Sequence, residues 1–192
     1  MVAIGASGGE GLEDIKALLA ALPADLPAVV LVVLHRPSDQ LSHLKEVLSR
    51  VSQMPVLVAQ QGERFRAGCC YVGEPDDHLS LAAESNVRLV EGANDRHRNR
   101  TVDILFNSVA AHARERAIGV VLSGSLDDGS RGLAAIAHAG GATMVLTKQG
   151  VADRGMPENA AGYNGPIDVL GSATTIAREI VRRVGQVIDA TR

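Results

Sequence analysis

The stretch that decides the fold opens the chain at residues 2–11 and reads Val2-Ala3-Ile4-Gly5-Ala6-Ser7-Gly8-Gly9-Glu10-Gly11. Its first three residues are apolar and predict a short strand. A glycine cluster follows, and leucines and isoleucines then recur at helical spacing between residues 12 and 22. A strand that enters a helix through a glycine-rich turn is typical of an α/β domain.

The rest of the chain continues this alternation of strands and helices. Residues 29–34 form an unbroken apolar run, as expected of a strand buried on both faces. Later strands are predicted at 118–122, 142–146 and 167–170, and helices at 102–114, 130–139 and 173–189. In the middle third, the four short strands at 56–59, 70–73, 79–81 and 87–90 indicate an antiparallel or mixed insertion. We therefore predict one doubly wound α/β domain over residues 1–192, with a mostly parallel sheet, helices on both faces and a short antiparallel insertion.

The composition argues against several classes of protein. The chain has 192 residues and a formal net charge of −3, which disfavours a disordered chain and a strongly basic nucleic-acid binder. No apolar run approaches the roughly 18 residues of a membrane span, and no signal peptide is evident. The adjacent Cys69 and Cys70 cannot easily bridge each other and lack metal-ligand spacing. We therefore predict a cytoplasmic protein that is not embedded in a membrane and has no metal site.

Polar side chains stand at the ends of three predicted strands. Ser7 ends the first strand and His35 the second, and Asp127 and Asp128 follow the strand at 118–122. The carboxyl ends of parallel strands meet at one edge of a sheet, where α/β proteins place their sites. A serine, a histidine and an aspartate at this edge would supply a nucleophile, a general base and an orienting carboxylate. The glycines after Ser7 leave backbone N–H groups near a helix N-terminus to hold an oxyanion.

These residues also allow structural interpretations. Ser7 could cap the helix that follows it, and His35 could be an ordinary structural histidine. Asp127 and Asp128 could be turn and N-cap residues, and spacing alone does not choose between them as the orienting carboxylate.

The glycine spacing also fits the G-x-x-x-G-x-G loop with which short-chain dehydrogenases cradle a dinucleotide. Two observations disfavour this alternative. The second strand ends in His35 rather than in an acidic residue for the ribose hydroxyl. The tyrosines, Tyr71 and Tyr163, also lack the lysine four residues later that those enzymes use.

Short motifs from Val2 to about Val184 carry a resemblance to a known family. They are Ile4-Gly5-Ala6-Ser7, Leu34-His35-Arg36-Pro37, Gly62-Glu63-Arg64, Gly68-Cys69-Cys70-Tyr71-Val72, Pro75-Asp76-Asp77-His78-Leu79, Arg96-His97-Arg98, Val102-Asp103-Ile104-Leu105-Phe106, Leu122-Ser123-Gly124, Asp128-Gly129, Gly132 and Gly155-Met156-Pro157. Their order and spacing resemble the catalytic domain of the chemotaxis receptor protein-glutamate methylesterase (CheB) family.

The resemblance implies a serine hydrolase that demethylates glutamate γ-methyl esters on the cytoplasmic helices of chemoreceptors. Many members of the family also deamidate receptor glutamines, and no cofactor is required. The family's triad maps onto Ser7 as nucleophile, His35 as base and Asp128, since the family's aspartate immediately precedes a glycine. Oxyanion or substrate contacts are then expected at Gly8, Gly9 and Ser125.

The chain departs from the family pattern at Glu10, which follows the glycines, and at Ser125, which replaces a methionine. The alternative function is therefore a catalytically weakened module of the same fold that docks on receptors or regulates them. A basic cluster of Arg96, Arg98 and Arg100 is a candidate receptor contact.

The predicted first strand begins at Val2, so we expect no receiver domain within these residues. Control would then come from a regulatory partner in trans, from expression, or not at all.

Overall fold

The computed structural model describes residues 1–35, 43–74, 76–91, 100–124, 127–147, 155–162 and 165–189, with side chains described up to 186. Its strands are β1 (Val2–Ser7), β2 (Val30–His35), β3 (Val56–Val58), β4 (Cys70–Val72), β5 (Asp77–Leu81), β6 (Val87–Glu91), β7 (Ile118–Val121), β8 (Ala142–Leu146) and β9 (Val169–Gly171). Its helices are α1 (Gly8–Ala21), α2 (Leu44–Ser49), α3 (Thr101–Ala113), α4 (Ser130–His138), α5 (Met156–Gly162) and α6 (Ala173–Asp189).

A seven-stranded sheet in the order β3-β4-β2-β1-β7-β8-β9 forms the centre of the molecule. Every pair of neighbouring strands in it is parallel. From β1 the chain steps outward in one direction to β2 and later in the other direction to β7, so the strand order reverses at β1. In doubly wound sheets, this reversal opens a crevice at the carboxyl ends of the strands.

Helices cover both faces of the sheet, as the sequence predicts. On one face, Ile4 of β1 packs in a cluster with Leu18 of α1 and Ile180 of α6. On the other face, Ala3 of β1 belongs to a cluster with Phe106 of α3. Successive β1 residues therefore enter opposite layers, which explains why the central strands are apolar without a break.

The middle third differs in part from the prediction. The antiparallel insertion is confirmed as β5 paired with β6, from Asp77 opposite Glu91 to Leu81 opposite Val87. Assigning all four short strands to an insertion is wrong, because β3 and β4 join the main sheet in parallel. β4 is buried throughout, which is a feature of parallel strands, but three residues are too few to show it as a pattern in the sequence.

Among the residues that the structure describes, no helix is both long enough and apolar enough to cross a bilayer.

Candidate active site

Ser7 ends β1 in an extended conformation, with φ −141° and ψ 140°, at the N-cap position of α1. A serine at this position commonly turns its hydroxyl back onto the first N–H groups of the helix. The Ser7 hydroxyl makes no such bond to α1, and its Oγ instead lies 3.5 Å from Nδ1 of His35. The interpretation of Ser7 as a helix cap is therefore wrong.

The pairing of β1 with β2 brings these two side chains together. The strands run in parallel with Ser7 directly opposite His35 at the last position of the register. Both residues are half-buried at the carboxyl edge of the sheet. Parallel pairing at a strand end thus explains how residues 28 positions apart become neighbours.

The segment that follows β7 passes directly beside Ser7. The Ser7 N–H donates to the Ser123 carbonyl oxygen at 3.1 Å, and the Ser123 N–H donates to the Asp14 carboxylate of α1 at 3.3 Å. A Cβ at Gly124 would lie 2.6 Å from the Ser7 Cβ and 2.9 Å from the Ser7 nitrogen. Only glycine fits this close approach. Gly124 was part of a family motif in the sequence, but its contact with Ser7 was not predicted.

The backbone amides around Ser7 have different surroundings. The N–H of Ser7 is committed to Ser123, whereas Gly8 and Gly9 are exposed in the first turn of α1. The first N–H groups of a helix have no carbonyl partner within it and carry its positive dipole end. Gly8 adopts a left-handed φ of +70°, which turns the chain from β1 into α1. These amides can therefore bind an anionic oxygen beside Ser7.

Asp128 is 5% exposed, and both of its carboxylate oxygens bind backbone N–H groups. Oδ2 accepts from Val102 at 3.0 Å and Oδ1 accepts from Asp103 at 2.9 Å, both in the first turn of α3. Burial raises the pKa of the Asp128 carboxyl, and the charge of Asp103 adds to that effect. The two N–H donors and the nearby His35 act on this pKa in the opposite direction. His35 thus favours the ionised form of Asp128.

Asp127 has a different environment from its neighbour. Its side chain is about half exposed and accepts from Arg100 at 3.4 Å. Its carbonyl accepts from the Ser130 N–H at 3.2 Å and closes the turn into α4. The structure therefore separates a turn residue, Asp127, from Asp128, a buried carboxylate bound to the start of α3.

Asp103 is a buried residue to which sequence reasoning assigned no function, although it lies in a quoted motif. Its Oδ1 accepts from the N–H groups of Gly129 at 3.0 Å and Gly132 at 2.8 Å. Its Oδ2 accepts from Arg100 at 3.2 Å. The signal for Asp103 in the sequence was an aspartate in the first turn of a helix whose neighbouring residues are apolar.

The other predicted residues have mixed outcomes. Ser125, Arg96 and Arg98 lie outside the described residues. Arg100 forms ion pairs with carboxylates at the start of α3 and α4, so its contact with a receptor stays a prediction. Glu10 is exposed in the first turn of α1, where a negative charge suits the helix dipole.

A cleft of about 740 Å³ lies at the opposite edge of the sheet from Ser7 and His35. Its walls include Val29, Ile118 and Ala142, which stand at the amino ends of β2, β7 and β8. Because the reactive side chains lie at the carboxyl ends, this cleft is separate from the candidate site.

Comparisons with known proteins agree with this geometry. The protein-glutamate methylesterase/protein-glutamine glutaminase of Yersinia pestis is 39% identical over 174 residues, which cover 88% of this chain and 49% of that protein. The protein of the same name from Salmonella typhimurium is 33% identical over 193 residues, covering 98% of this chain and 54% of that protein. The chain thus spans about half the length of these curated relatives.

The fold also has a counterpart among solved structures. The crystal structure of the Thermotoga maritima CheB methylesterase catalytic domain superposes with a TM-score of 0.82 at 28% sequence identity. The match covers 95% of this chain and 97% of that one. The sequence profile of the family described as CheB methylesterase matches residues 2–180, and the chain belongs to that family.

Proposed function

We propose that this chain is a serine hydrolase that removes methyl groups from glutamate γ-methyl esters of chemoreceptors. The observation that carries the proposal is the Ser7 hydroxyl, which lies 3.5 Å from the His35 imidazole rather than on the helix it precedes. Membership of the CheB methylesterase family and the names of the relatives support the substrate class.

In the first step, Nδ1 of His35 takes the proton from the Ser7 hydroxyl as Oγ attacks the ester carbonyl carbon. The carbonyl oxygen becomes an oxyanion, and the N–H groups of Gly8 and Gly9 would stabilise it. His35 then gives the proton to the leaving oxygen, and methanol departs. The glutamyl group remains bound to Ser7 as an ester.

In the second step, a water molecule attacks the glutamyl ester and gives a proton to His35. The Ser7 oxygen leaves and recovers its proton from His35, and the glutamate side chain is released. The same two reaction steps on a glutamine amide would release ammonia instead of methanol, which is consistent with the double name of the relatives.

Asp128 serves this chemistry through His35. The imidazole gains a positive charge each time it takes a proton, and a nearby carboxylate stabilises that charge. The N–H donors of Val102 and Asp103 hold Asp128 in place and favour its ionised form. We assign Asp128 the orienting role and exclude Asp127, whose carboxylate pairs with Arg100.

The substrate would be a methylated chemoreceptor helix, which places the reaction in the cytoplasm. The basic residues Arg96, Arg98 and Arg100 would steer the protein towards acidic receptor surfaces, and Ser125 would line the substrate path. The substrate and the role of Ser125 follow from the family resemblance, and the steering role follows from the positive charge of the cluster.

Methanol release from a methylated receptor fragment tests the proposal. Ser7→Ala should lower the rate by at least about 10³-fold, because it removes the nucleophile. Ser172→Ala is a matched control, since Ser172 accepts from the Thr175 N–H at the start of α6. That variant should lose roughly 1 kcal/mol of stability and keep its turnover. Equal inactivity of the wild type and Ser7→Ala, with receptor binding retained, would instead support the docking module.

A further inference from the structure

Two buried aspartates bind each other's helices at the junction of α3 and α4. Asp128 precedes α4 and accepts from two N–H groups in the first turn of α3. Asp103 belongs to α3 and accepts from the N–H groups of Gly129 and Gly132 at the start of α4. Each carboxylate therefore satisfies N–H groups that the other helix leaves without a partner.

The bond from Gly129 to Asp103 constrains Asp128 directly. The N–H of Gly129 belongs to the peptide group that joins Asp128 to Gly129, and it donates to Asp103 Oδ1 at 3.0 Å. Gly129 has a left-handed φ of +95°, and a Cβ there would lie 2.7 Å from Val102 Cγ1. The backbone on the C-terminal side of Asp128 is therefore fixed by Asp103 and by packing against α3.

Close packing leaves this junction little freedom to adjust. Gly132 of α4 sits against α3, where a Cβ would lie 3.2 Å from the Asp103 carbonyl oxygen. Asp103 is 3% exposed, so solvent cannot replace its bonds to the two glycines. Loss of those bonds would leave buried N–H groups unsatisfied beside Asp128.

Arg100 completes the arrangement. Its guanidinium donates to Asp103 Oδ2 at 3.2 Å and to Asp127 at 3.4 Å. The carboxylates of Asp103 and Asp128 repel each other, and the charge of Asp103 raises the pKa of Asp128. The cation of Arg100 offsets that repulsion on the Asp103 side.

We infer that Asp103, supported by Arg100, is a positioning residue that holds Asp128 in place for His35. The inference rests on the proposed function, since it gives Asp128 its role in the hydrolysis. Asp103 acts through the Asp128–Gly129 peptide group and the start of α4, and not on the reacting atoms.

The test is a double-variant cycle in the methanol-release assay. Asp103→Ala should lower kcat by about 10- to 100-fold with little change in KM, because a displaced Asp128 no longer orients His35 for the reaction. In an Asp128→Ala background, Asp103→Ala should cause no further loss, because the residue it positions is gone. Asp103→Asn keeps an oxygen for Gly129 and Gly132 and should restore kcat to within a few-fold of wild type.

Asp168→Ala is the matched control. Asp168 also accepts from a backbone N–H, that of Thr143 at 2.8 Å, and pairs with Arg183, but at the amino ends of the strands. It should lose stability without loss of kcat. An equal loss of kcat from Asp103→Ala in both backgrounds, or an equal loss from Asp168→Ala, overturns the inference.

A titration separates this inference from the proposed function. If the wild type shows no Ser7-dependent turnover, the proposed function fails, and carbon NMR of the Asp128 carboxyl still tests the positioning by Asp103. Asp103→Asn and Asp103→Ala both remove the charge of Asp103, but only alanine also removes the bonds to Gly129 and Gly132 that hold Asp128 at its backbone donors. The pKa of Asp128 should therefore be higher in Asp103→Ala than in Asp103→Asn, and equal values overturn the inference.

Discussion

Replacing Gly124 by alanine should displace Ser7 and impair hydrolysis. The new Cβ would lie 2.6 Å from the Ser7 Cβ and 2.9 Å from the Ser7 nitrogen. The first separation must grow by about 0.8 Å to reach the 3.4 Å at which ordinary contact begins. The third close atom, Sδ of Met156, can move with its flexible side chain, but Ser7 is fixed by its pairing with β2 and by its backbone bond to Ser123.

The size of the effect follows from that displacement. A shift of about 1 Å in a reacting group costs on the order of 10²-fold in rate, so kcat should fall by about 10- to 100-fold. Overpacking of this kind should also cost about 1–3 kcal/mol of unfolding free energy. Methanol release and urea unfolding followed by circular dichroism measure the two effects.

Gly185→Ala provides the control for Gly124→Ala. Gly185 lies in α6, and a Cβ there meets nothing within 4 Å. Alanine is favoured over glycine in a helix, so this variant should gain roughly 0.5–1 kcal/mol and keep its rate. If Gly124→Ala folds and turns over within twofold of wild type, the close approach to Ser7 does not matter for the reaction, and the reasoning fails.

Three further predictions concern single residues. Gly8→Ala and Gly62→Ala should each cost about 1–2 kcal/mol, because both glycines have a left-handed φ in open space. Only Gly8→Ala should also lower kcat, and equal rates for the two variants would argue against an oxyanion role for the Gly8 amide. Burial raises the pKa of Asp128 above 3.8, so the folded protein binds this proton more tightly than the unfolded chain does. The free energy of unfolding should then fall as pH rises from 3.8 through the folded pKa, and a pH series of urea unfolding should show no such contribution in Asp128→Asn. Burial raises the pKa of the Cys70 thiol to about 12, whereas Cys69 is partly exposed. Iodoacetamide should therefore label Cys69 and not Cys70 in the native protein, and equal labelling of both residues in peptide mass spectrometry would contradict this.

Much of the fold could be predicted because its signals are local. Residues 118–122 have no polar side chain and residues 142–146 have one, Thr143, and the structure has strands at Ile118–Val121 and Ala142–Leu146. The helix predicted at 173–189 is confirmed as Ala173–Asp189. The partners of β3 and β4 could not be predicted, because strand pairing depends on distant chain segments rather than on the three residues of each strand.

The site was less predictable than the fold, for a related reason. Strand ends alone place Ser7 and His35 at one edge, and the structure brings them to 3.5 Å. The choice between Asp127 and Asp128 depends on which carboxylate lies beneath α3, and that is a contact across 25 residues of sequence. Only the family resemblance chose Asp128 at the sequence level. The role of Asp103 needed the positions of both helices.

The local cost of this arrangement favours an enzyme over a docking module. A serine at the N-cap of a helix stabilises a protein by about 1 kcal/mol when its hydroxyl caps, yet Ser7 turns its hydroxyl towards His35. A carboxylate is also buried at Asp128, where its raised pKa marks an unfavourable environment for its charge. Docking on a receptor uses exposed surface and requires neither feature. Sequences give up local stability of this kind mainly where chemistry requires it. Here one cost falls on Ser7, beside the His35 imidazole, and the other on Asp128, whose ionised form His35 favours.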